Sequence, residues 1–191
     1  MSGPAEDGPE QNGPREDGLA ARAAQVALNL FRGYGYTFYR AENDLRADDQ
    51  RIRRMVSELL QQARKGLSEA EGRYRREVIP PPSRANPFPP AELVANARRL
   101  EALAQGVSAL DAQVAHLPVP TNDFMTARYR NEAETLGRLA EKDVELVADA
   151  HALAEAVPGD DPLAVLDAAS AITTAIARVK DRLAERQALL L

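Results

Sequence analysis

Residues 45–63, LRADDQRIRRMVSELLQQA, carry the apolar pattern that decides the fold. In this stretch Leu45, Ile52 and Leu59 follow one another at intervals of seven residues, and the same row begins upstream with Phe31 and Phe38. Apolar residues with this spacing lie on one face of an α-helix, as they do in coiled coils. The pattern therefore predicts a long helix with one apolar face.

The predicted helical segment covers residues 19–78, because this stretch contains no proline. A continuous helix of this length would be about 90 Å long, which exceeds most helices of globular proteins. We expect a bend near the glycines of 33–35 or near Gly66, where Ser68 and Glu71 have the spacing of a capping box. The segment is expected to form an arm that extends beyond a compact bundle or packs along another chain.

Residues 79–90, IPPPSRANPFPP, contain six prolines and mark the clearest boundary in the chain. Proline excludes a helix here and favours an extended, semi-rigid conformation. Pro87 and Pro90 have the PxxP spacing that aromatic-lined grooves can bind. We interpret the segment as a plain spacer, since prolines at helix ends need no partner to explain them.

Residues 91–191 are predicted to form three further long helices, with Pro118, Pro158 and Pro162 near their boundaries. The second of these, over 121–157, has a predicted inner face that includes Ala140, Val144, Val147, Ala150 and Ala154. Short connections make consecutive helices pack side by side. The expected fold class is all-α: an antiparallel bundle of about four long helices with an extended N-terminal arm.

Composition excludes several functional classes. The chain has 191 residues, a net charge of −5 and no cysteine, so disulfides, thiolate metal sites and thiol nucleophiles are absent. Residues 1–18 carry five acids and one arginine among glycines and prolines, and they are predicted to be a disordered acidic tail. No segment has the apolar length of a membrane span or the pattern of a signal peptide, so we expect a cytoplasmic protein.

Motifs for catalysis are not found in the sequence. The residues three positions before His116 and His151 are Gln113 and Ala148, so the Glu-x-x-His pattern of di-iron bundles is missing. The glycines of 33–35 resemble the start of a dinucleotide fingerprint, but the third glycine is absent and the segment reads as helix. We therefore expect a protein that is not an enzyme and binds no cofactor or metal.

Residues 31–39, FRGYGYTFY, hold five of the nine aromatic residues of the chain, namely Phe31, Tyr34, Tyr36, Phe38 and Tyr39. The rings cannot all lie on one side of a helix. One interpretation is ordinary core with exposed tyrosines. The alternative is a patch that binds a partner or ligand, because aromatic rings bury large areas at low entropic cost.

Residues 40–77 contain ten basic and eight acidic side chains. Such interleaving favours a solvated helix with ion pairs over a nucleic-acid-binding arm, so we do not expect nucleic acid as a partner. Arg73, Arg75 and Arg76 are the exception, and we predict that they contact an anion. Residues 121–157 carry eight acids and four bases, and the basic segment is expected to lie against them.

The leading hypothesis is a non-enzymatic interaction, scaffold or adaptor protein that acts through its long N-terminal helix. Its partner is another protein or a second copy of itself, with Leu45, Ile52 and Leu59 as the association face and a homo-oligomer as the result. The alternative is a small-molecule-binding or accessory bundle, with an aromatic-lined pocket around Phe31, Tyr34 and Phe38.

Overall fold

The computed structural model describes residues 44–117 and 132–189, and it describes side chains over 50–117 and 138–189. These ranges contain five helices and no strand: α1 (Asp44–Glu77), α2 (Ala91–Ala115), α3 (Glu132–Ala156), α4 (Pro162–Asp167) and α5 (Ala169–Ala188). The predicted all-α class is confirmed for this part of the chain. The predicted acidic tail and the aromatic stretch 31–39 lie outside the described residues.

The five helices pack against one another as a helical bundle. Helix α1 contacts α2, α3 and α4, and α5 also contacts α2, α3 and α4. Their buried apolar side chains form one continuous cluster. Between α1 and α2, residues 79–90 contain no helix, and Phe88 in this segment is 83% exposed.

Helix α1 buries one face, though not quite the one that a seven-residue repeat predicts. Ile52 is 1% exposed in the core, but Leu59 is only partly buried, and its neighbour Leu60 is completely buried. A straight α-helix has 3.6 residues per turn, so a strict seven-residue row drifts slowly away from the buried side. The buried face consequently passes from Ile52 through Leu60 and Leu67 to Tyr74.

Gly66 marks a close approach between α1 and the turn that follows α3. A Cβ atom at Gly66 would lie 3.0 Å from Cγ1 of Val157 and 3.1 Å from the carbonyl oxygen of Gly159. Gly159 itself has a φ of +85°, a backbone conformation that other residues rarely adopt. Helix α1 is continuous through Gly66, so the capping-box sequence at Ser68 does not begin a new helix.

The last predicted helix is divided into α4 and α5 at Ala168. Asp161 caps α4, as expected, because its carboxylate accepts a hydrogen bond from the amide of Leu163 at 3.1 Å. Neither proline nor glycine stands at the division. Val165 on α4 and Ala169 on α5 are both buried, so the two helices contribute to the same core on either side of the division.

A buried ion pair joins α3 to α5. Nε of Arg186 donates to Oδ1 of Asp143 at 2.5 Å, and the two side chains are 1% and 0% exposed. The attraction between the charges offsets a large desolvation cost, so the net contribution of such a pair to stability is often small, whereas removal of one partner alone is costly. The pair connects residue 143 of α3 with residue 186 of α5.

The close approach at Gly66 leads to a first prediction. Gly66→Ala should lower the free energy of unfolding by about 1–3 kcal/mol, because a backbone oxygen stands where the new methyl group must go. Gly106→Ala is the control, since its Cβ would lie 3.4 Å from Ile176, an ordinary contact. In the control, the better helix propensity of alanine should leave stability unchanged or raised. Chemical denaturation measures both, and equal stabilities of the two variants would contradict the close approach.

The buried ion pair leads to a second prediction. Arg186→Met should cost about 3–5 kcal/mol of stability, because it removes the charged hydrogen bond to the fully buried Asp143 carboxylate. The double variant Asp143→Leu with Arg186→Met should recover most of this loss, since it removes both charges. Denaturation curves for the single and double variants give the comparison. A double variant that is less stable than Arg186→Met alone would show that the pair is not the source of the loss.

Candidate anion-binding groove

The face of α1 opposite the core is polar and partly flat. Gln61, Lys65, Ser68, Gly72 and Arg76 follow one another at intervals of four or three residues and therefore lie on one side of the helix. All five are exposed or half-buried. The small residues Ser68 and Gly72 lie in this stripe between Lys65 and Arg76.

This stripe forms the floor of an open groove. The groove has a volume of about 870 Å³ and runs beside the turn between α3 and α4. It is lined by Gln61, Arg64, Lys65, Ser68, Glu69, Gly72, Arg73, Arg76 and Asp160. Four of these side chains are cationic and two are acidic, so the groove carries a net positive charge on an acidic protein.

One wall of the groove is an ion pair between Arg73 of α1 and Asp160 of the α3–α4 turn. Nη2 of Arg73 donates to Oδ2 of Asp160, and its Nε lies 4.0 Å from Oε1 of Glu77. Asp160 reaches this position because Gly159 turns the chain and Gly66 lets the turn approach α1. Arg73 and Asp160 thus neutralise each other within the protein.

The other three cations of the groove are free to bind a ligand. Arg64, Lys65 and Arg76 are exposed, and none of them has an ion pair with any residue that the structure describes. The guanidinium of Arg76 lies over Gly72, where a Cβ atom would be 3.2 Å from its Nη1. Glu69 is an exposed carboxylate among them. The groove therefore offers cationic groups at both ends and one acidic group between.

Cations between α3 and α5 are paired, in contrast to those of the groove. Nζ of Lys142 lies 2.8 Å from carboxylate oxygens of both Glu145 and Glu185, and Arg182 lies 3.1 Å from Asp149. The hydrogen bond from Lys142 and the charge of Arg182 lower the pKa of Glu185 below its ordinary value. Hydrogen bonds to Glu145 and Glu185 raise the pKa of Lys142. These charges are already paired within the protein.

The structure brings together two of the three arginines predicted to contact an anion. Arg73 and Arg76 line the groove. Arg75 lies on a neighbouring face of α1, where it pairs with Glu71 and, at 3.0 Å, with Glu101 of α2. The hydrogen bond with Glu71 and the charges of both acids raise the pKa of Arg75. Its charge is thus used to connect α1 and α2.

The remaining predicted sites are placed differently. Ile52 lies in the core of its own chain and Leu59 packs against that core, while the side chain of Leu45 is outside the described residues. The predicted aromatic patch also lies outside them: Phe31, Tyr34, Tyr36, Phe38 and Tyr39. Ile52 of the apolar row therefore packs into the core of its own chain, and the outer face of the same helix is polar.

The histidines lie apart from the groove. Nδ1 of His116 donates to the carbonyl oxygen of Ala112 at 2.7 Å, at the end of α2, and His151 is half-buried near the C-terminal end of α3. Within the described ranges, no three His, Asp or Glu side chains are placed to hold a metal ion. None of the helices described is both long and apolar enough to cross a membrane.

No protein-family model, curated protein or solved structure matches this chain.

The sequence alone does not mark Arg64, Lys65 and Asp160 as parts of a site. Lys65 and Arg76 are eleven residues apart, close to three helical turns, and this spacing was the one local signal that they share a face. Asp160 is 87 positions from Arg73. Nothing in the local sequence could indicate that these two residues meet.

The paired charges between α3 and α5 lead to a third prediction, on pH. Lys142→Met should raise the pKa of Glu185 toward the ordinary glutamate value of about 4.3. Because the folded pKa is lowered, Glu185 stabilises the protein above the unfolded pKa, and this contribution is lost as the pH falls through the folded value. Carboxyl NMR titration measures the shift. Lys180→Met, at an exposed lysine of α5, should leave the Glu185 titration unchanged, and a shift of equal size there would contradict a specific pair.

Proposed function

We propose that this protein is a non-enzymatic docking or adaptor protein that binds another protein through the outer face of α1. The observation that carries the proposal is that three cations without an ion pair among the described residues line one groove. Arg64, Lys65 and Arg76 in the groove have no ion pair among the described residues, whereas Lys142 and Arg182 are held by several carboxylates. Exposed charges gathered on one face steer association with an oppositely charged partner.

The shape of the groove favours a chain segment as its ligand. Sites for small molecules bury most of the ligand surface in a cleft or cavity. This groove is instead open along an exposed helix, with cations near residues 64–65 and again at Arg76. A partner segment that lies along α1 can contact both ends at once.

The proposed binding surface is the polar outer face of α1, opposite the apolar row that contains Ile52. Ile52 lies in the core, so contact with a second chain through it would require the bundle to open. The groove needs no such change, because its side chains are already exposed. Helix α1 thus organises the bundle with one face and binds the partner with the other.

We further propose that α1, α2, α3 and α5 form an antiparallel four-helix bundle that supports this face. Near one end of α1, Arg53 donates to the carbonyl oxygen of Leu117, and near the other end Tyr74 accepts from Asn96. Residue numbers therefore increase along α1 in the direction in which they decrease along α2, which supports an antiparallel arrangement of the two helices. The same order relates α3 to α5, where 142 contacts 185 and 149 contacts 182. Such a bundle would hold α1 as a rigid platform.

Site-specific photo-crosslinking in the cells that make this protein tests the proposed function. A photoreactive residue in place of Ser68, in the floor of the groove, should form an adduct with a partner protein. The same residue in place of Ala177, an exposed position on α5, should not form this adduct. The triple change Arg64→Glu, Lys65→Glu and Arg76→Glu should abolish it, because it reverses the charge of the groove.

Two results would contradict the proposal. One is the absence of any protein adduct from Ser68. The other is an adduct that forms equally from Ala177 or persists in the triple variant. Circular dichroism of the variants provides the control for folding, and we expect an unchanged helix content, since these three cations make no ion pair within the described part of the chain.

A further inference from the structure

The groove has a length that restricts what can occupy it. Lys65 and Arg76 are eleven residues apart on the continuous helix α1, so they are separated by about 16 Å along its axis. Between them lie Ser68 and Gly72, which are small. A single phosphate or carboxylate group could contact one end of the groove and not both. A ligand that uses both ends must be about three helical turns long.

We infer that the groove binds an acidic α-helix of the partner protein, lying along α1 with carboxylates about three turns apart. This inference rests on the proposed docking function. Acidic residues at positions i and i+11 of a helix lie on one face and repeat the spacing between Lys65 and Arg76. Ser68 is a small exposed residue between the two ends and lets a second helix approach α1, since packed helices lie about 8–10 Å apart.

The charges inside the groove favour a protein helix over a nucleic acid. Glu69 is an exposed carboxylate in the lining, and Asp160 contributes a second, paired with Arg73. A continuous row of phosphates would meet these carboxylates as well as the cations, and like charges in contact oppose binding. A helix can place a lysine opposite Glu69 and acidic residues at the two ends. The expected ligand is therefore acidic at its ends and basic or neutral in its middle.

Two stapled helical peptides of equal composition test this inference. In the matched peptide, glutamates stand at i and i+11 with a lysine between them, and in the permuted peptide they stand on opposite faces. Both are labelled and titrated with the full chain, and fluorescence anisotropy measures binding at low and high salt. The matched peptide should bind at least about tenfold more tightly than the permuted one. Its affinity should fall with added salt, because exposed charges are screened.

Two triple variants show whether the groove is the site. Arg64→Glu, Lys65→Glu and Arg76→Glu should weaken the matched peptide by at least about tenfold. Arg99→Glu, Arg178→Glu and Lys180→Glu make the same change in charge at exposed cations outside the groove, and they should leave its affinity nearly unchanged. Equal losses in the two variants would overturn the inference, because the effect would then be one of net charge.

Other outcomes separate this inference from the function on which it rests. Equal binding of the two peptides overturns the inference that the ligand is an acidic helix. Tighter, groove-dependent binding of a single-stranded oligonucleotide overturns it as well. If either occurs while Ser68 still forms its protein adduct in cells, the docking function stands and only the helical ligand is wrong. If the adduct is absent as well, the docking function itself fails.

Discussion

The contact between α1 and the α3–α4 turn at Gly66 is the constraint on which the groove depends. With no side chain at Gly66, the carbonyl oxygen of Gly159 and the methyl group of Val157 come within about 3 Å of where a Cβ would stand. The turn then places Asp160 beside Arg73 and forms a wall of the groove. A bulkier residue at this position would separate the turn from α1 and leave an open helix surface.

Helix α1 combines two surfaces of different chemistry. Its inner face, from Ile52 to Tyr74, lies in the apolar cluster, and burial of such side chains stabilises a fold by about 1.5–3 kcal/mol each. Its outer face carries charges that contribute little to stability, since exposed charges are solvated and screened. Changes of the outer charges can therefore alter binding and leave the fold intact, whereas changes of the inner face affect both.

Apolar spacing predicted the helices and much of the core, because the helical period is a local property. Ala97, Leu100, Val107 and Val114 of α2 are buried, as their spacing indicates. Val144 was predicted to lie on the inner face of α3, but its neighbour Asp143 is the residue that is fully buried. The charge of Arg186 on a distant helix compensates the burial of this carboxylate. The pair of Arg73 with Asp160 also joins distant segments of the chain. Such contacts leave no local pattern, so the groove could be predicted only through its arginines on α1.

The most direct test of this arrangement is the contact at Gly66, measured by nuclear Overhauser effects in the isotope-labelled full-length chain. We expect strong cross-peaks between the methyl protons of Val157 and the α-protons of Gly66, because a Cβ atom at Gly66 would lie only 3.0 Å from Cγ1 of Val157. We also expect the backbone couplings of Gly159 to report a positive φ. Absence of the Gly66–Val157 cross-peaks in a folded sample would contradict this arrangement, since the turn would then not lie against α1 and Asp160 would not form the wall of the groove.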